Sequence, residues 1–314
     1  MLSLNSGQKI AIINDNDKKF VYIKEADKHA PPEVGTTEAK KFDIFKDYLE
    51  RDRKLRRADI DALIVAYKND SRIHPKLERK LEDAKNFITE SLKHYLDFGK
   101  KSTLKPYFDK QYLLSKQKDK TTEPSYRMFV SGLSGSGKSY YISEWLKTNK
   151  PKHIFIMSPV KDDPAFKKLK PEPMHIDLLT YDQEYEKNFE IEDIPPDSVV
   201  ILDDIDTDKN AKLYLEVKIQ LLERGRHLGI STIVVSHEAL AGNTKHAKAQ
   251  LRECEYFIIF PKSNKAHAEK LLKSYIMLPK EKMDLILDMD TRAVTIKKSF
   301  PSYAIGEHTV LTIN

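Results

Sequence analysis

Residues Gly132-Leu133-Ser134-Gly135-Ser136-Gly137-Lys138-Ser139 match the phosphate-binding pattern G-x-x-x-x-G-K-[ST] at every fixed position. An apolar run, Met128-Phe129-Val130, precedes them, and a helical pattern from Tyr140 to Leu146 follows. Strand, loop and helix in that order constrain the fold strongly. The loop belongs at the carboxyl end of a strand in a mostly parallel sheet, where ligands of such sheets bind. Its glycines let successive N–H groups curl toward one centre, and the helix start adds positive dipole there. Gly132, Ser134, Gly135, Ser136, Gly137, Lys138, Ser139 and Tyr140 are the expected nucleotide contacts. Lys138 is expected to reach the β- and γ-phosphates, and Ser139 to hold Mg²⁺ through its hydroxyl. The chain is therefore read as binding ATP with Mg²⁺.

A second segment supplies the acids. Ser198-Val199-Val200-Ile201-Leu202-Asp203-Asp204 is a β-branched run ending in two carboxylates, and Pro195-Pro196-Asp197 breaks the chain before it. Such a run fits a strand buried on both faces. Asp203 is expected at the metal, and Asp204 as the residue that orients or deprotonates the attacking water, with Asp206 a nearby spare. A third segment, from Leu221 to His237, ends a helix at Glu223-Arg224-Gly225-Arg226 and then runs as a nearly wholly apolar strand into Ser236-His237. If that strand lies between the other two, His237 stands beside the phosphates. Arg224 and Arg226 are candidate phosphate-sensing or trans-acting fingers, with a helix C-cap matched to the dipole as the competing reading.

Around these segments the chain alternates strand and helix from residue 125 to the C-terminus, as in an α/β P-loop fold with helices flanking a mostly parallel sheet. Residues 1–99 read differently: two short strands at 8–13 and 20–24, then helical periodicity through Phe42, Phe45 and Leu49, through 60–67, and from Pro75 to about Phe98. They are expected to form a small α-rich module. Residues 100–124 read as a basic linker or arm, and 125–314 as the ATPase domain.

The net charge of +6 lies entirely in residues 1–124. A basic segment beside a nucleotide-driven domain is compatible with contact to nucleic acid phosphates, and equally with a solvated, lysine-rich tether. No apolar run approaches the ~18 residues of a membrane span. Cys254 is the only cysteine, which rules out an intrachain disulfide, and its place beside an apolar strand points to packing.

The order of phosphate loop, acid-ended strand, Glu-Arg-Gly-Arg-His-Leu-Gly-Ile and strand with a polar end resembles the FtsK–HerA superfamily of DNA-pumping ATPases. It is most similar to the branch of poxvirus-type genome packaging ATPases of large DNA viruses and their virophage relatives. His153-Ile154-Phe155-Ile156-Met157-Ser158-Pro159-Val160, Asp203-Asp204 and Cys254-Glu255-Tyr256-Phe257-Ile258-Ile259-Phe260-Pro261-Lys262 carry that likeness from Tyr126 onward. The resemblance implies an ASCE-type P-loop NTPase fold. It also implies a homo-oligomeric ring, most often a hexamer, that encircles double-stranded DNA and loads a viral genome into a capsid. Capsid or other virion proteins follow as further partners, and the virion or the host cytoplasm as the place of action. The family usually carries Gln where His237 stands, and an imidazole sets its donor and acceptor on two separate ring nitrogens where an amide has both at one end. The residues themselves leave open a nucleotide kinase, a helicase or replication motor, and a virion assembly component whose nucleotide site drives oligomerisation.

Overall fold

The computed structural model describes residues 2–14, 19–23, 38–51, 54–93, 95–98, 100, 102–117, 122–158, 163–167, 169, 175–177, 190–205, 211–237 and 251–313. The spare acid Asp206 lies outside them. Strands β1 (Leu2–Ser3), β2 (Gln8–Ile13) and β3 (Lys19–Ile23) open the chain, followed by helices α1 (Glu38–Arg51), α2 (Arg57–Asn69) and α3 (Pro75–Lys93). The helices form a core of their own, in which Phe45 stacks on Tyr67 with ring centroids 4.0 Å apart and Leu49, Leu63, Ala84 and Ile88 fill the centre.

The helical periodicity read up to Phe98 stops earlier. Tyr95–Asp97 is a strand, β4, paired antiparallel to the last strand of the large sheet. Leu96 is buried there against Tyr303, Ile305 and Val310, so a vacant sheet edge with an apolar face decided the conformation of a segment whose local pattern suited a helix. The stretch expected to be a linker is also structured. It holds β5 (Leu104–Pro106), which pairs with β2, and helix α4 (Lys110–Lys116), whose N-cap Asp109 accepts from the Tyr112 N–H. Strands β1, β3, β2 and β5 make a small antiparallel sheet in that order. Its Leu2, Ile10, Val21 and Leu104 share one apolar cluster with Tyr303, Ile305 and Val310.

This packing sets the outcome of a truncation. Removal of residues 1–99 uncovers Tyr303, Ile305 and Val310, each at most 1 % exposed in the whole chain. Burial of one such side chain contributes about 1.5–3 kcal/mol, and a domain's net stability is only about 5–15 kcal/mol. The truncated protein is expected to lose its cooperative thermal transition or to aggregate. A melt as sharp as that of the full chain, at the same temperature, would show that the two parts fold separately.

The large sheet continues with β6 (Arg127–Ser131), α5 (Lys138–Asn149), β7 (His153–Ser158), the short helix α6 (Pro164–Lys167) and β8 (His175–Asp177). Then come β9 (Ser198–Asp203), α7 (Ala211–Arg224), β10 (Ile230–Ser236), β11 (Tyr256–Ile259), α8 (Lys265–Leu271) and α9 (Lys280–Leu287). Strands β12 (Val294–Lys297), β13 (Tyr303–Ile305) and β14 (Thr309–Thr312) close the chain. Among the described residues the strand order is β4-β14-β13-β12-β11-β6-β10-β9-β7-β8. Strands β11 through β8 are mutually parallel, and β12, β13, β14 and β4 extend them as an antiparallel flank.

The apolar central strands read as continuous runs because both their faces are covered. Phe129, Val200, Leu202 and Val234 face one layer with Tyr214 and Leu221 of α7, while Met128, Val130, Val199, Ile201 and Ile233 face the other with Ile142, Trp145 and Leu146 of α5. The connection through α5 leads from β6 outward past β9, and the one through α7 leads back from β9 to β10. Right-handed crossovers in opposite directions place their helices on opposite faces.

Candidate active site at the carboxyl ends of the parallel strands

Strand β10 pairs with β6 on one side and β9 on the other, so the strand ending in Ser236-His237 does lie between the phosphate-loop strand and the acid-ended strand. The registers align Ser236 with Ser131 and Val235 with Asp203. Lys138, Asp203, Asp204 and His237 therefore meet at one end of the sheet.

Glycine is required by the loop's backbone at two of its positions: Gly135 has φ 74° and Gly137 φ 103°, both left-handed. At Gly132 the constraint is close approach, since a Cβ would come 2.7 Å from Ser136 Oγ and 2.8 Å from the Phe260 ring. Lys138 is buried and donates from Nζ to the carbonyls of Gly132 (2.8 Å) and Leu133 (3.3 Å). Its third donor meets His237 Nδ1 at 3.0 Å, and His237 Nε2 lies 2.7 Å from Asp204 Oδ2. An ammonium can only donate, so Nδ1 accepts and Nε2 carries the proton that it donates to Asp204. His237 thus links the phosphate-binding lysine to the second acid. Asp204 itself sits at φ 50°, a left-handed position that Asp tolerates better than most residues and that turns it out of the strand.

Burial lowers the Lys138 pKa, with the charges of Asp204 and Asp203 acting in the opposite sense. Burial and then the neighbouring Asp204 charge push Asp203 up to about 6, against the hydrogen bond that Ser158 donates to its Oδ2 at 3.1 Å and the charge of Lys138. Asp203 is thus a carboxylate whose ionised form its surroundings disfavour.

The residues suit a nucleoside triphosphate with its metal. Ser136 Oγ is buried and finds no partner among the described residues, an orphaned polar atom inside the curl of the loop. Among the described residues no group of three His, Cys, Asp or Glu could hold a metal by itself. An Mg²⁺ ion keeps waters and needs only one or two protein ligands beside phosphate oxygens. Ser139 and Asp203 are the protein ligands in question. Ser134 and Tyr140 stand exposed at the loop's outer side and just beyond it.

Arg224 and Arg226 are not brought to this site within the chain. Both are exposed and precede β10, whose seven residues span about 20 Å from that end to Ser236. Arg224 pairs with Glu192, and Arg226 Nε lies 3.4 Å from His227 Nε2. The structure also adds groups that sequence reading passed over. Ser158 ends β7 as Asp203 ends β9, a signal available from the last residue of each parallel strand. His267 Nε2 meets Ser131 Oγ at 2.8 Å. Arg292, from the turn before β12, donates from Nε to the Ser136 carbonyl (2.8 Å) and from Nη2 to that of Gly135 (3.1 Å). Nothing in its local sequence marks it. Cys254 is fully buried, and burial pushes its thiol up to about 12, as expected of a packing residue.

The phosphate loop, the acid-ended strand and the strand inserted between them define an ASCE-type P-loop NTPase. The family model of the poxvirus A32 protein matches residues 114–300, more than half of the chain, which therefore belongs to that family. An uncharacterized protein of the Sputnik virophage, V3, is 32 % identical over 199 residues, covering 60 % of this chain and 79 % of that protein. Among solved structures, the genome packaging NTPase B204 from Sulfolobus turreted icosahedral virus 2, in complex with sulfate, is 16 % identical with a TM-score of 0.36, covering 56 % of this chain and 93 % of that one. The pCW3 conjugation coupling protein TcpA with ATPγS gives 16 % identity and a TM-score of 0.36, covering 61 % of each chain.

Proposed function

We propose that this chain is an Mg²⁺-dependent ATPase that drives double-stranded DNA into a viral capsid, working as a homo-oligomeric ring. The observation that carries the ATPase reading is the Lys138–His237–Asp204 chain beside Asp203, all at the mouth of the phosphate loop. Lys138, freed from the Gly132 and Leu133 carbonyls, neutralises β- and γ-phosphate charge; Ser139 and Asp203 hold Mg²⁺; Asp204 orients the attacking water. His237 takes the position of a γ-phosphate sensor, since any shift of Lys138 onto phosphate breaks its bond to Nδ1 and is felt at Asp204. Membership of the poxvirus A32 protein family supports DNA packaging as the use of this chemistry. Among the described residues no helix is long and apolar enough to cross a membrane.

Steady-state ATP turnover by the purified protein is expected to rise when duplex DNA is added. Asp204→Asn is expected to bind ATP and retain it without hydrolysis, because the change removes the water-directing carboxylate and leaves the phosphate contacts. Full turnover by Asp204→Asn would take Asp204 out of the mechanism. Turnover indifferent to duplex DNA would remove the packaging role.

A further inference from the structure

A cavity of about 360 Å³ opens directly beside the phosphate loop, within the usual size range of small-molecule sites. Gly137, the N-cap of α5, and Tyr140, from its first turn, form one side of it, and Leu104 and Pro106 of β5 form another. Tyr141, Phe260 and Thr295 also line it; the Tyr141 hydroxyl is hydrogen-bonded to Thr295, and the Tyr141 and Phe260 rings meet edge to face at 6.5 Å. Tyr140 is 65 % exposed, a large aromatic ring at the rim with no packing reason to be there. Two carboxylates, Glu144 and Glu307, also border the space.

The cavity is built into the fold. The Leu104 N–H donates to the Glu307 carbonyl at 2.7 Å, His308 Nδ1 meets the Ser102 carbonyl at 2.6 Å, and Lys105 pairs with Glu144 at 3.5 Å. These contacts fasten the N-terminal sheet to the β13–β14 turn and to α5. Arg292 stands between cavity and loop. It grips the outward carbonyls of Gly135 and Ser136, and in a planar trans peptide the following N–H points the opposite way. The Ser136 and Gly137 N–H groups are thereby turned away from the guanidinium, that of Ser136 donating to the Leu133 carbonyl at 3.1 Å.

We infer that this cavity receives the base of the nucleotide whose phosphates lie in the loop, with Tyr140 as its stacking surface, β5 as an opposing wall and Arg292 as the positioning residue that joins base pocket to phosphate cradle. The inference rests on the phosphate-site reading above. The ligand class is a flat aromatic heterocycle, since the rim offers an exposed ring together with both donors (Lys105, Arg292) and acceptors (Glu144, Glu307). A consequence is that the N-terminal sheet is part of the nucleotide site.

The test compares two ligands by calorimetry on the full chain: ATP and inorganic triphosphate, each with Mg²⁺. Tyr140→Ala is expected to weaken ATP binding about tenfold to a hundredfold, the size of a lost base–aromatic stack, and to leave triphosphate binding unchanged. Tyr140→Trp is expected to restore ATP affinity. Lys138→Ala is expected to weaken both ligands. Tyr140→Ala with unchanged ATP affinity overturns the base pocket, and so does an equal loss for both ligands, which would make Tyr140 a support of the loop. Lys138→Ala with no effect on either ligand defeats the phosphate-site reading itself, separately from the fate of the pocket.

Discussion

Replacing Asp203 with Asn is expected to abolish ATP turnover while raising the melting temperature of the nucleotide-free protein. Asp203 is only 8 % exposed and its carboxyl is pushed up to about 6 by burial and by Asp204. A group whose folded pKa lies above its unfolded value destabilises the fold where it is ionised. Here that cost is full above pH 6, fades as pH falls through 6, and is gone near the unfolded carboxylate value of about 4. At pH 7.5 it amounts to about 3 kcal/mol. Asparagine keeps an acceptor for the Ser158 hydroxyl and carries no charge, so it removes the cost and preserves the contact. The expected gain is on the order of 5 °C at pH 7.5, shrinking toward zero near pH 4. The same change removes the carboxylate proposed for Mg²⁺, so single-turnover hydrolysis should fall by at least about 10³. A variant less stable than the parent at pH 7.5, or one that still turns over, would contradict this account of Asp203.

The second large effect concerns Arg226. Its place at the far end of β10 excludes it from its own chain's phosphate loop, so any role in hydrolysis must be played on a neighbouring subunit. An NTPase deprived of its arginine finger is slower by about 10³–10⁵. Arg226→Ala is therefore expected to bind ATP normally and to hydrolyse it slowly by that order. Mixing it with Lys138→Ala subunits is expected to restore part of the turnover, because a wild-type loop then meets a wild-type finger at some interfaces. Arg224, tied to Glu192, is the natural comparison, and Arg224→Ala should retain most of the activity. Two dead variants that stay dead when mixed, together with a rate per subunit that does not vary with protein concentration, would rule out both the finger and the ring.

Most of the catalytic end of the molecule was legible in the sequence because its determinants are local. Gly132 through Ser139 dictate a curled loop by backbone freedom alone, and Val199 through Leu202 dictate a doubly covered strand by composition. Acids placed directly after such a strand have to emerge at its carboxyl end, where the loop also lies. Even the position of β10 between β6 and β9, left as a condition at the level of sequence, follows the apolar character of Ile233 to Val235.

Tertiary structure alone decided the rest. Tyr95 to Asp97 could continue a helix, and only the free edge of β14 made them a strand. The lysine-rich stretch after residue 100 read as a tether because its charges dominate its composition. Leu104 nevertheless found an apolar surface two hundred residues further along the chain, and Phe108 meets the Tyr126 ring in a cluster that reaches Phe260. Arg292 reaches the phosphate loop across 156 positions of sequence, and His237 reaches Lys138 across 99. A chain's local pattern reports which conformations are cheap for each segment. Which surfaces meet depends on contacts between residues distant in sequence, and those form only when the whole sheet has closed. In this protein the chemistry of the phosphate site was written locally; the wall beside it and the union of the N-terminal sheet with the ATPase core were set by burial of side chains that no local pattern connects.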